Sequence, residues 1–218
     1  MNGETQYRSP HSIMGEKLSS ESSETELRLH LEKSLIPSFF RLLQKGFRVK
    51  TQPGRSVKSF LCEQLGLSPE YVEKRIQTLF LDGKPVDDKD SATIRNGSTL
   101  ALSAAMPGLI GAVLRSGGFF ASMRSTISHR EETKVEGSQE GMVSLKLFNL
   151  LLREIGPAFL EKGIWIHGRD LQNFIEGKLD DFSTGCKKAI LDDKEVDLKT
   201  LHEMKWADKN VFLLLRTD

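Results

Sequence analysis

Leu27, Leu29 and Leu31 alternate with Arg28 and His30, and Phe47 and Val49 alternate with Arg48 and Lys50. A period of two turns one side of each segment toward a core, which predicts two strands. Pro53-Gly54 closes the second of them. Val57, Phe60, Leu61 and Leu65 then follow helical spacing, with Gly66 where a C-terminal stop is expected. Asp82-Gly83 is a tight-turn dipeptide between a third strand and Val86, and Thr99 to Leu102 supplies the last strand.

The same pattern returns further along the chain. Leu145-Lys146-Leu147-Phe148-Asn149 repeats Leu27 to Leu31, and Ile164-Trp165-Ile166-His167 repeats Phe47 to Lys50. Leu171 to Leu179 repeats Val57 to Leu65, with Asp170 as the expected N-cap. Ile190-Leu191-Asp192-Asp193-Lys194-Glu195-Val196-Asp197 repeats Phe80 to Asp87, and Val211 to Leu215 is the closing strand. Matches that stay in order point to two copies of one small unit. A helix across one face of a mixed sheet is the economical way to bury these stripes. The expected organisation is a disordered leader over 1–26, a first domain over 27–103, a Gly-rich apolar segment and polar linker over 104–142, and a second domain over 143–218.

On these residues the chain resembles the β-grasp, or ubiquitin-like, superfamily. TLFLDGKPVDD, followed by IRNGSTLALS, is similar to the second half of ubiquitin, and LKLFNLLLREIG resembles the start of the small sulfur carriers MoaD and ThiS. The fold class implied is α+β, with two tandem β-grasp domains, each a mixed sheet with one main helix. The resemblance also implies a recognition surface on the open sheet face, where Phe80 and Ile190 match a position of ubiquitin's apolar patch. Sulfur carriers act through a terminal Gly-Gly. Here the given sequence closes on Leu215-Arg216-Thr217-Asp218, and Gly117-Gly118 is internal. A relative or remnant of such a carrier, serving a cofactor-assembly enzyme, is therefore the alternative function.

Composition narrows the chemistry. The net charge is +1 over 218 residues, so no global field selects nucleic acid or an anionic membrane. Cys62 and Cys186 make no disulfide framework and have no metal spacing, and are expected to be unpaired packing residues of a cytoplasmic protein. His11, His30, His129, His167 and His202 are scattered, and the acidic clusters at Asp87–Asp90 and Asp192-Asp193 fall on turns. No catalytic, cofactor or metal site is expected, and the chain reads as a non-enzyme. Arg41, Lys45, Arg48, Lys50, Arg55 and Lys58 form a basic stripe, read as a solvated face ahead of a surface for an acidic protein; stacking aromatics for RNA are lacking.

Two features point to a protein partner, itself included. The most apolar window, Leu102 to Leu114, is too short to span a membrane; the apolar segment Ala104 to Ser128, AAMPGLIGAVLRSGGFFASMRSTIS, reads as a spacer packed on the body, or as a docking segment. The second is the outer sheet face. With Phe212 and Leu214 turned to the helix, Phe148, Trp165, Leu213 and Leu215 would point outward and need a cover. The expected contact residues are thus Phe80, Phe148, Trp165, Ile190, Leu213 and Leu215.

Overall fold

A computed structural model describes residues 24–124, 128–129, 140–177, 182 and 184–217. The leader up to residue 23 and most of the polar linker lie outside the described residues. The strands are β1 (Glu24–Leu31), β2 (Phe47–Thr51), β3 (Thr78–Leu81), β4 (Lys84–Pro85), β5 (Thr99–Ser103), β6 (Gly141–Phe148), β7 (Ile164–His167), β8 (Cys186–Leu191), β9 (Lys194–Val196) and β10 (Asn210–Thr217). Helices are α1 (Phe40–Lys45), α2 (Val57–Ser59), α3 (Pro69–Lys74), α4 (Gly108–Leu114), α5 (Leu151–Glu154), α6 (Gly156–Lys162), α7 (Gly168–Glu176) and α8 (Leu198–Glu203). The chain is α+β, as the alternation implied.

Two separate sheets were expected; one is found. Its ten described strands run β4-β3-β5-β6-β2-β7-β10-β1-β8-β9, so strands of the two halves interleave. β6 lies between β5 and β2, parallel to the first and antiparallel to the second. β1 lies between β10 and β8, again parallel to the first and antiparallel to the second. The two halves also differ in order. Beside β2 sits β6, the opening strand of a repeat, whereas beside β7 sits β10, a closing strand. Alternation fixes which face of a strand is buried, and says nothing about which strand lies beside it.

Helices pack on one face of this sheet. Leu27, Leu29, Phe47, Leu79, Leu100, Leu102, Leu145, Leu147, Ile164 and Ile166 turn inward, each at most 2% exposed, and merge with Val57, Phe60, Leu61, Leu171 and Phe174 in one core. Phe39 of the first half stacks on Phe174 of the second, with ring centroids 4.6 Å apart, and Phe47 meets Phe159 at 5.1 Å. Each fully buried side chain of this kind contributes roughly 1.5–3 kcal/mol. Both tight turns form as expected. Asp82 and Gly83, and likewise Asp192 and Asp193, take positive φ, as a two-residue hairpin loop requires.

Two local expectations are corrected. Asp170 is not the N-cap of α7; His167 holds that position, and the Asp170 carboxylate reaches across to Lys45 at 2.5 Å. The register of β10 is shifted by one residue from that expected. Val211, Leu213 and Leu215 are fully buried, and Phe212 and Leu214 face outward. Inside, Leu213 and Leu215 pair across to Leu27 and Leu29. Outside, the Phe212 ring lies over Gly163, where a Cβ would fall 2.2 Å from its Cζ.

Candidate functional site: an apolar segment beside the open sheet face

The face opposite the helices carries the residues singled out from the sequence, but it separates them. Phe80 on β3 pairs with Ala101 on β5, and Ser103 pairs with Phe148 on β6. Together with Met106 and Asn149 they line a cleft of about 280 Å³. Asn149, at positive φ, donates from Nδ2 to Ser103 Oγ at 2.8 Å and shapes its far wall. Trp165 stands near the middle of the sheet. It pairs with Phe212 on one side and Arg48 on the other, and its ring centroid is 5.2 Å from that of Phe212. Ile190 lies seven strands from Phe80 in the sheet order, opposite Arg28 on β1; at about 4.8 Å per strand that is roughly 30 Å. Leu213 and Leu215 are in the core and take no part in the surface.

Near Trp165 a polar cleft of about 400 Å³ opens between Arg48, Lys50, Asn96, Met142, Asn210 and Glu24. Arg48 Nη2 donates to Asn210 Oδ1 at 2.7 Å, its Nε is buried without a hydrogen-bond partner, and burial lowers the guanidinium pKa. Three more members of the expected basic stripe are paired with carboxylates. Besides Lys45, Arg55 pairs with Glu63 at 3.0 Å, and Lys58 with Asp90 at 3.0 Å. That leaves Arg48 and Lys50 together in the cleft, with Arg41 apart on α1. Among the described residues no three His, Cys, Asp or Glu side chains gather as a metal site would need. Cys62 and Cys186 are free and half-buried, and burial raises both thiol pKa values. A thiol held protonated is a poor nucleophile.

The segment after β5 is built the opposite way from a packed spacer. Ala104 is buried, α4 follows, and a short tight helical turn spans Phe119–Arg124. The two pieces fold against each other, and the chain leading into α4 folds back over Gly111, where a Cβ would sit 1.9 Å from the Met106 carbonyl oxygen. Arg124 and Ser116 of this hairpin turn their polar atoms inward. Arg124 is 2% exposed and grips Asp87 through Nη2 to Oδ1 at 2.6 Å and Nη1 to Oδ2 at 3.0 Å. It also donates from Nε to the Val113 carbonyl at 2.7 Å. Ser116 Oγ donates to the Val86 carbonyl at 2.7 Å, and the Ser116 amide donates to Gln77 O at 2.8 Å. The His129 amide reaches Pro85 O at 2.7 Å, on the edge strand β4.

With the polar side fixed to the sheet edge, the apolar side faces out. Leu109 and Ile110 are each 71% exposed, Met123 73% and Phe119 90%, and Phe120 packs edge-on against Phe119. Of the large hydrophobic side chains exposed among the described residues, all but Leu150 belong to this segment. The sequence marked the segment as unusual through its run of small and apolar residues; which side would face outward depended on Asp87, 37 positions before Arg124. No helix among the described residues is long and apolar enough to cross a membrane. Comparison with protein-family models, with curated proteins and with solved structures returns no match for this chain.

Proposed function

We propose that the protein is a non-enzymatic protein-binding module, assembled from two ubiquitin-like units that have exchanged strands, and that it binds through the hairpin over residues 106–124. Each half of the sheet is a mixed five-stranded unit with helices against one face, which supports the ubiquitin-like reading. The observation that carries the binding reading is the hairpin's inverted polarity: a buried Arg124 held by Asp87 inside, and Leu109, Ile110, Phe119 and Met123 outside. A monomer gains nothing by ordering large apolar side chains into water, and contiguous patches of this kind mark contact surfaces. Phe80 and Phe148 belong to the same surface, because Met106 joins their cleft to the start of the hairpin. Trp165 and Ile190 lie apart from it and are secondary contacts in this reading.

Installing a benzoyl-phenylalanine photo-crosslinker at Phe119 in the full chain, and irradiating it in its native cell, tests the reading. The expected result is a discrete protein adduct, lost when Ile110→Glu is added. A crosslinker that yields only water quenching or lipid adducts would remove protein binding as the function of this segment.

A further inference from the structure

Resting on that protein-binding reading, we propose that the partner at the hairpin is a second copy of this chain, the two Leu109–Met123 patches packing on each other about a two-fold axis. Size is the first argument. From their fractional exposures, Leu109, Ile110, Phe119, Phe120 and Met123 offer roughly 600 Å² of apolar surface per copy, taking an aromatic side chain as about 200 Å². A standard interface buries about 800 Å² per partner, and the Phe80–Phe148 cleft beside Met106 extends the patch toward that figure.

Charge is the second argument. A two-fold axis sets a surface against itself, so a charge lying on the axis meets its like. Between Ala104 and Arg124 the only charged side chains are Arg115 and Arg124, and Arg124 is buried on Asp87. The patch therefore carries one exposed charge, Arg115 at the end of α4, and the proposed packing keeps the two Arg115 side chains at its rim. It has no carboxylate of its own to pair with a basic partner. It also lacks the Trp, Tyr and clustered Lys that seat a loop in a lipid interface.

Pre-organisation is the third. The hairpin is already held by Arg124, Ser116 and the fold-back at Gly111. Association would then order little beyond the outward side chains themselves.

Sedimentation velocity on the full chain, from low micromolar to hundreds of micromolar, tests this directly. The expected result is a concentration-dependent dimer whose dissociation constant rises about tenfold or more with either Ile110→Glu or Phe119→Glu. Both side chains are exposed, so circular dichroism, and the melting temperature at concentrations where the wild type is monomeric, should stay at the wild-type values. A chain that stays monomeric throughout overturns the proposal, and so does a dimer that both variants leave intact. Flotation of the monomer with neutral phosphatidylcholine vesicles, lost in Phe119→Glu, would assign the patch to lipid and overturn it as well. The crosslinker at Phe119 separates the two levels. A monomer that crosslinks to a different protein removes self-association and leaves the binding reading standing; a monomer with no protein adduct removes both.

Discussion

Glu154, at the start of the second half, ties the two halves together by its side chain. It accepts from Tyr71 Oη at 2.7 Å and from Arg75 Nε at 2.9 Å. The Arg75 bond, opposed by partial burial and helped by Tyr71, holds its carboxyl below the ordinary range. A carboxyl depressed on folding contributes stability above its unfolded pKa, and that contribution is lost as pH falls through the folded one. Acidification from neutral pH should therefore weaken the protein through and below the ordinary glutamate range. Glu154→Gln should remove about 1 kcal/mol at pH 7 and flatten the acid limb, leaving the two proteins alike at low pH. Urea midpoints measured across pH check this; a parallel offset at every pH would show that Glu154 acts by packing alone.

At the scale of elements, β1 and β10 differ in how far their sequences determine their structure. β1 alternates leucine with Arg28 and His30, so only one face can be buried and the structure follows the pattern. β10 reads Val-Phe-Leu-Leu-Leu, apolar in both phases, and alternation cannot choose between them. The choice is made by tertiary partners, Leu27 and Leu29 beneath and Gly163 above. Substitution tests the assignment sharply. Leu213→Asp puts an unpaired charge in a fully buried site and should cost more than about 3 kcal/mol, enough to depopulate the fold. Leu214→Asp, on the half-buried outer face beside Arg28, should cost less than about 1 kcal/mol. Comparable urea midpoints for the two would put the strand back in the other phase. The candidate site was legible to a similar, partial degree. Phe80 and Phe148 could be read as surface residues because their strands alternate. The outward aim of Leu109, Ile110 and Phe119 could not, since it depends on where Arg124 finds its carboxylate.

For the whole molecule, interleaving removes the independence that two repeats would otherwise have. β6 fills the place between β5 and β2 in one half of the sheet, and β1 the place between β10 and β8 in the other. Neither half of the chain can complete a sheet alone. The repeat itself was visible in matched residues, but strand partnership leaves no local trace, because an inward leucine suits any apolar neighbour. Cutting the chain between residues 130 and 139 should give two pieces that each unfold without cooperativity in urea. Mixing them should restore a single sharp transition and near-native circular dichroism. A fragment of residues 140–218 that folds cooperatively by itself would show that β1 is dispensable to its half.

The placement of β1 also sets the order of events at the ribosome. Its backbone partners are β10 and β8, and the Glu26 amide finds the Asp192 carboxylate 166 residues downstream. As the chain emerges, Leu27, Leu29 and Leu31 must therefore wait, unpaired, until most of those residues have been translated. At about 5–20 residues per second that interval lasts some ten to thirty seconds. During it an apolar strand with two open edges is within reach of every neighbouring nascent chain, and pairing across so long a loop is slow once it can begin. Among the described strands, the first to be made is the one most dependent on chaperone cover. Translation slowed over the segment encoding β8 to β10 should lower the yield of folded protein more than the same slowing upstream of β2.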